Sequence, residues 1–245
     1  MLKIIIPLAG NSDLFHNAGY VYPKPLIEIN GKTMIELIVE NPSKIKRRHQ
    51  FVFIIKEDDV TKFHLDNTLK LICPDCEIVK LKKITNGALC SVLMSVDSLN
   101  PNDNLLILNG DQVVDIDFDL VDQFWQSEDV EAGIVTFNSV HPRWSYALIE
   151  NEEIVQTAEK NPISNQSIAG YYYFKSALKF INASFKTIKN GVNYDGNYYI
   201  SPVINDFILN NEKAKNFTIN KENYHSLYSP KMVLEYERKQ QLKYD

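Results

Sequence analysis

Three segments of this chain carry charged side chains in settings suited to phosphate chemistry. In Tyr22-Pro23-Lys24-Pro25-Leu26 a lysine stands between two prolines. Their rings limit local backbone freedom, so a fixed ammonium can face developing negative charge. In Leu105-Leu106-Ile107-Leu108-Asn109-Gly110-Asp111 a carboxylate lies just past a buried apolar run, with glycine beside it. That is a good hard-oxygen ligand for Mg²⁺, although Asn, Gly and Asp also simply end strands. Asp115 and Asp117 follow on the next segment. In Ala158-Glu159-Lys160-Asn161-Pro162 a second lysine adjoins a carboxylate, a pairing that a surface salt bridge alone explains more simply.

Two further segments are built of small residues. Leu8, Ala9, Gly10 and Asn11 follow an apolar run, where small residues let backbone N–H groups approach a phosphate chain. Gly87 and Ala88 open a helical stretch within Thr85-Asn86-Gly87-Ala88-Leu89-Cys90-Ser91; a flat ring could lie close to such a backbone. An ordinary turn and an ordinary helix entry account for these segments equally well.

These residues need elements to hold them. Apolar runs at Lys3–Leu8, Phe51–Ile55, Glu77–Leu81, Asn104–Leu108, Ala132–Phe137 and Ala169–Phe174 predict strands. Tyr146–Glu150 and Glu153–Ala158 read as a hairpin through Asn151. Helical spacing predicts helices at Thr33–Val39, Thr61–Leu71, Leu89–Val96, Ser176–Ile181 and Pro202–Leu209. A last helix starts at Ser229 as N-cap and Pro230 as first residue. Its apolar Val233, Leu234 and Tyr236 suit packing on its own domain better than assembly. The β-α-β-α order of the first half implies a parallel sheet covered by helices. Ligands of such sheets sit beyond the carboxyl ends of the strands, so the loops at Ala9–Ser12 and Asn109–Asp111 can share one edge.

No linker, repeat or low-complexity segment interrupts the 245 residues. One domain over 1–245 is expected, with halves at 1–120 and 121–228 and a C-terminal helix at 229–245. Hydrophobic residues make up 44% and charged residues 23%, a globular balance. A net charge of −5 argues against a general nucleic-acid binder. Three cysteines, two of them in Cys73-Pro74-Asp75-Cys76, are too few for a disulfide scaffold or a four-thiolate zinc site. They suit a cytoplasmic protein. No apolar stretch is long enough to span a membrane.

Taken in order, these segments resemble the sugar-phosphate nucleotidyltransferase family, from the first residue to about Phe174 and more loosely beyond. The stretch Ile4–Glu36 carries the likeness most specifically. With His141–Glu150, Ala158–Ser164 and Ala169–Phe174 it is similar to a subgroup of capsule and surface-polysaccharide biosynthesis enzymes that includes cytidylyltransferases. The resemblance implies a Rossmann-like three-layer α/β/α sandwich of the glycosyltransferase-A type, with a mixed, mostly parallel sheet. It implies a nucleotide-binding half at 1–120 and an acceptor-binding half at 121–228, with Leu8, Ala9, Gly10, Asn11, Asn109 and Gly110 lining the nucleotide and Gly87 and Ala88 against its base. Lys24 would neutralise the triphosphate and Asp111 would bind Mg²⁺. Glu159 and Lys160 would hold the acceptor and its phosphate, with Gly170 in the acceptor pocket. Trp144, Ser145 and Tyr146 would face the acceptor, although a strand aromatic more often belongs to the core.

The implied reaction joins an NTP, pyrimidine and preferentially CTP, to a small phosphorylated metabolite, with release of pyrophosphate. An acceptor phosphate oxygen attacks the α-phosphorus in line, with Lys24, Asp111 and Lys160 as the catalytic set. Two departures stand against this pattern. The arginine usual in the family's first loop is replaced by Leu14, with Asp13 beside it. Tyr224-His225-Ser226 has no carboxylate where many relatives hold a second metal ligand, for which Asp195 or Asp206 could substitute. Two other readings therefore stay open: a glycosyltransferase of the same fold using Asp115-Ile116-Asp117, and a nucleotide-binding relative without catalysis. The base, the acceptor and the existence of a homo-oligomer are not fixed by the sequence.

Overall fold

The computed structural model describes residues 1–242, so Lys243, Tyr244 and Asp245, the end of the expected C-terminal segment, lie outside the described residues. The elements run β1 (Leu2–Pro7), α1 (Asp13–His16), β2 (Glu28–Ile29), β3 (Lys32–Thr33), α2 (Met34–Glu40), β4 (His49–Lys56), α3 (Glu57–Phe63), α4 (Leu65–Ile72), β5 (Glu77–Leu81), α5 (Ala88–Leu93), β6 (Asn104–Leu108) and β7 (Gln112–Val114). They continue as α6 (Phe118–Ser127), β8 (Ala132–Asn138), β9 (Ser145–Glu150), β10 (Glu153–Glu159), β11 (Gln166–Phe174), α7 (Ala177–Lys189), α8 (Ile204–Leu209), β12 (Ala214–Ile219), β13 (Tyr224–Ser226) and α9 (Pro230–Gln241).

Among the described residues nine strands form one mixed sheet, in the order β10-β9-β11-β6-β1-β4-β5, with β8 also on β11 and β12 on β8. Strands β5, β4, β1 and β6 are parallel. Strand β11 then runs antiparallel to β6, β8 and β9. Successive side chains of a strand point to opposite faces, and here both faces are apolar. Leu2, Ile4 and Ile6 of β1 join one buried cluster and Ile5 joins the other. Phe51, Phe53 and Ile55 of β4 likewise oppose Val52 and Ile54. Each such side chain, fully buried, contributes about 1.5–3 kcal/mol. Helices α2 and α6 cover the first face, and α5, α7 and α8 the second. The result is the expected three-layer α/β/α sandwich around a mixed sheet.

Local chemistry accounts for the boundaries. Thr33 caps α2 in a capping box with Glu36, each side chain bonding the other's backbone N–H. The single helix expected over Thr61–Leu71 is two, because His64 adopts a left-handed backbone with φ 53°. Its N–H closes α3 on the Val60 carbonyl, while its own carbonyl starts α4. The pattern did not predict α6, whose N-cap is Asp117, bonding Asp119 and Leu120 N–H. Nor did it predict the edge strand β12, whose Lys215, Asn216 and Thr218 obscure the strand pattern. Helix α9 starts at Pro230 after Ser229, although the serine side chain bonds no backbone N–H. Val233 and Tyr236 of α9 are buried, with Leu234 left exposed. All three cysteines are free, and burial pushes the Cys73 thiol up to about 11. Among the described residues no helix is long and apolar enough to cross a membrane.

Candidate active site

The parallel strands β1, β4, β5 and β6 end at one sheet edge, where two adjoining cavities open. The first, about 330 Å³, is lined by Leu8, Ala9, Gly10 and Asn11 after β1, by Gly87 and Ala88 at the entry to α5, and by Asn109 and Gly110 after β6. These are the eight positions expected to line a nucleotide. Asp111 and Lys24 also line it. The second cavity, about 440 Å³, holds Glu159, Lys160 and Gly170, with Trp144, Ser145, Tyr199 and Tyr228 among its walls. Ala88, Asn109 and Asp111 belong to both, so Asp111 stands at the seam.

Lys24 and Asp111 meet there: Nζ lies 3.0 Å from Oδ2. Lys24 opens a single 3₁₀ turn, Lys24–Leu26, fixed by the prolines on either side. Its N–H donates to the hydroxyl of Ser12, 3.2 Å away, and its ammonium lies 5.6 Å from the Tyr228 ring centre. The Asp111 backbone is held because its carbonyl accepts from Leu227 N–H, 2.8 Å. That contact belongs to a short antiparallel ribbon in which β13 pairs with β7.

In the second cavity Glu159 is half-buried. Its Oε2 accepts from the hydroxyls of Ser145 and of Ser201, the latter at 2.8 Å. Both bonds fall on one oxygen, which leaves Oε1 to the cavity. Burial raises the Glu159 pKa above the ordinary carboxylate value, against the opposing pull of the two serines and Lys160. Lys160 takes a left-handed backbone, φ 50°, which swings its side chain toward Tyr199. The ammonium donates to the Tyr199 hydroxyl at 3.0 Å and lies 4.5 Å from the Tyr194 ring centre. Burial pulls this ammonium down, but the Tyr199 bond and the neighbouring negative groups outweigh it and hold it above the ordinary lysine value.

Two glycines have demonstrable reasons. Gly170 sits at φ +60° in an irregularity of β11, and an added Cβ would come within 2.3 Å of Asn109 Nδ2. Gly87 sits at φ +100°, and its Cβ would come within 2.3 Å of the Tyr198 carbonyl oxygen. The loop before α5 is thus packed against the 198 backbone, which also accepts from Leu89 N–H at 3.1 Å.

Tyr146 is a correction. It is fully buried, its hydroxyl donates to the His141 carbonyl at 2.7 Å, and it does not line the second cavity, where an acceptor-facing side chain was expected. Because Ser145 points into that cavity to meet Glu159, strand alternation turns Tyr146 away. Asp115 and Asp117 also lie outside both cavities, Asp117 being spent on the α6 cap. Asp195 and Asp206 line neither cavity, and Asp206 is paired with Lys186. Tyr199, Ser201 and Arg143 were not singled out by the sequence; the first two follow a loop with no apolar period to flag them.

The donor set bears on a metal ion. Among the described residues no group of three or more His, Cys, Asp and Glu side chains converges as a metal site. Within the described lining of the first cavity Asp111 is the one carboxylate. Mg²⁺ is commonly held by one or two carboxylates plus substrate phosphates and water, so a lone Asp111 beside a phosphate-sized space fits that ion. Ser226, in register with Gln112, stands where a second carboxylate was looked for.

The first-loop departure has a visible setting. Leu14 is half-exposed, and the Asp13 carboxylate accepts from the Asn11 side-chain amide. Asn11 and Ile84 also line a neighbouring cavity of about 510 Å³ with Lys82 and Lys83. Lys56 and Lys62 in that cavity are paired with Asp59 and Asp58. Lys82 and Lys83 are exposed and have no carboxylate within 4.0 Å among the described residues.

The family model described as Nucleotidyl transferase matches residues 16–225. No curated protein matches the chain. Among solved structures, the nucleoside-diphosphate-sugar pyrophosphorylase from Vibrio cholerae RC9 superposes with a TM-score of 0.85 at 23% identity, over 96% of this chain and 99% of that one. A UDP-glucose pyrophosphorylase complexed with UDP-glucose gives a TM-score of 0.77 at 15% identity, over 98% of both chains. The UTP-bound UGPase from Acinetobacter baumannii gives 0.76 at 15% identity, over 98% of this chain and 93% of that one.

Proposed function

Because the chain belongs to the nucleotidyl transferase family, we propose that it joins a pyrimidine NTP to a small phosphorylated metabolite and releases pyrophosphate. The observation that carries this reading is the Lys24–Asp111 contact at the seam of two cavities, one walled largely by backbone and small residues, the other by Glu159 and Lys160. A nucleotide in the first and a phosphorylated acceptor in the second would bring an acceptor oxygen against the α-phosphorus beside Asp111. The likeness of Ile4–Glu36 favours CTP and a role in capsule or surface-polysaccharide precursors. UTP and UDP-glucose bound in similar structures support a pyrimidine and a sugar-phosphate acceptor.

The chain's own work is positioning and charge compensation. An acceptor phosphate is already ionised and needs no general base, so effective molarity and preorganised charge supply the rate. Lys160, held by Tyr199, offsets the attacking phosphate. Lys24, released from Asp111, offsets the departing pyrophosphate. Lys82 and Lys83 take over the terminal phosphates in place of the missing first-loop arginine. Asp111 would hold Mg²⁺ together with substrate phosphates, and the ion would supply Lewis-acid charge stabilisation. Glu159 Oε1 accepts an acceptor hydroxyl.

The test is pyrophosphate release with Mg²⁺, with CTP, UTP, dTTP, GTP and ATP set against a panel of phosphorylated acceptors. Release that requires both substrates and is lost in Lys24→Ala establishes the reaction and names the base. Saturable NTP binding without release across the panel favours the non-catalytic reading instead. Sugar transfer from an NDP-sugar would favour a glycosyltransferase, a reading weakened by the position of Asp115 and Asp117 outside the cavities.

A further inference from the structure

A third cavity, about 630 Å³, lies beside the acceptor cavity and shares Arg143, Trp144, Tyr224, Ser226 and Met232 with it. It shares no lining residue with the nucleotide cavity. Arg143, Lys221, Lys231 and Lys239 line it, against Glu222 and Glu235. The chain as a whole is acidic, at −5, so a local excess of cations around a concave space is contrary to its composition. None of the four cations has a carboxylate within 4.0 Å among the described residues.

Arg143 is the pivotal member because it stands on the wall between the two cavities. Its guanidinium lies 4.1 Å from the Trp144 ring centre, and stacking on an indole orients the planar group. Trp144 is itself fixed by edge contacts to Phe137 and Tyr224, with centroids 5.6 and 5.2 Å away. The acceptor cavity therefore presents two cations. Lys160 suffices for the acceptor's phosphate, and Arg143 is left as a pre-oriented fork without a partner. Such a fork matches a carboxylate or a phosphate through two parallel N–H bonds.

We propose that the acceptor carries a second anionic group besides the phosphate that attacks, and that Arg143 recognises it at the mouth of the third cavity. The substrate class is then a phosphorylated sugar acid, a phosphorylated hydroxy acid or a bisphosphate rather than a neutral sugar phosphate. This rests on the assignment of the second cavity to the acceptor.

The test compares matched pairs that differ by one anionic group. Glucose 1-phosphate is set against glucuronic acid 1-phosphate, glycerol 3-phosphate against 3-phosphoglycerate, and glucose 1-phosphate against glucose 1,6-bisphosphate. Affinity is measured by calorimetry and turnover by pyrophosphate release. In at least one pair the anionic member is expected to bind about tenfold tighter or more, the scale of a charged hydrogen-bonded pair, and Arg143→Gln should collapse that ratio. The first two pairs report a carboxylate and the third a second phosphate. Equal affinity within every pair, or a ratio that Arg143→Gln leaves intact, overturns the proposal whether or not pyrophosphate is released. An anionic preference that persists without pyrophosphate release from any NTP overturns the reaction instead and leaves the anion subsite standing.

Discussion

The cavity proposed for the nucleotide and the one proposed for the acceptor are built from different materials. The first is walled by loop backbone and small residues at Leu8–Asn11, Gly87-Ala88 and Asn109-Gly110, with Lys24 and Asp111 at its inner end. The second is walled by side chains, chiefly Glu159, Lys160, Trp144 and Tyr199, drawn from strands and a connection far apart in sequence. Backbone N–H groups can serve any phosphate chain, whereas side chains select a particular partner. The first cavity thus suits a shared reagent and the second a specific one.

The sharpest way to break this division is at its seam. Lys24→Ala should lower kcat about 10²-fold, the usual loss when one preorganised charge-stabilising donor is removed. The acceptor KM should change far less, because Lys24 is absent from the acceptor cavity's lining. A mutant with wild-type turnover would take Lys24 out of the chemistry. The next effect is on the scaffold that joins the cavities. Gly170→Ala forces a side chain into a left-handed backbone and against Asn109 and Gln112. A loss of about 2–4 kcal/mol of stability is expected from strain plus overpacking. Chemical denaturation measures it, and an unchanged midpoint would show that Asn109 moves aside freely.

Much of the first cavity was legible in the sequence because its parts are local. A small-residue loop after an apolar strand is a short pattern, and parallel strands bring every such loop to one edge. The second cavity depends on pairing that no short pattern encodes. Tyr146 was placed with Trp144 and Ser145 by proximity along the chain, yet strand alternation sends it to the other face. Tyr199 and Ser201 reach Lys160 and Glu159 from a segment without apolar periodicity. Asp117 attracted a metal reading because a DxD pair and a helix cap use the same residue types. Helix α6 and strand β12 were hidden for related reasons, one behind its acidic start and the other behind the polar residues of a sheet edge.

A smaller effect probes whether the nucleotide side relies on side chains as well. Replacing Lys82 and Lys83 together by alanine should raise the KM for NTP about tenfold at low salt, each exposed charge contributing up to about 1 kcal/mol. The acceptor KM should stay constant, and the difference should shrink as ionic strength rises and screening shortens its reach. A KM for NTP that ignores both lysines would leave Lys24 as the sole cation of the triphosphate.

The mildest test concerns Glu159 and separates the two cavities by pH. Burial raises its pKa above the usual glutamate value, so protonation starts at a higher pH than for an exposed carboxylate. The ionised form exists above that raised pKa and is lost as pH falls through it. With Ser145 and Ser201 both donating to Oε2, the incoming proton goes to Oε1, which then donates where it had accepted. The acceptor KM should rise a few-fold as pH falls through that raised pKa, while the KM for NTP follows only the phosphates. A phosphate monoester dianion takes up a proton near pH 6, so the informative comparison is with Glu159→Gln, which keeps the substrate's titration and loses the side chain's. The stability sign is opposite. A folded pKa above the unfolded one makes ionised Glu159 a cost at neutral pH, relieved as pH falls through the folded value. If wild type and Glu159→Gln show the same acceptor KM profile, Glu159 does not bind the acceptor as an anion, and the second cavity selects its partner through Lys160 and the aromatic walls instead.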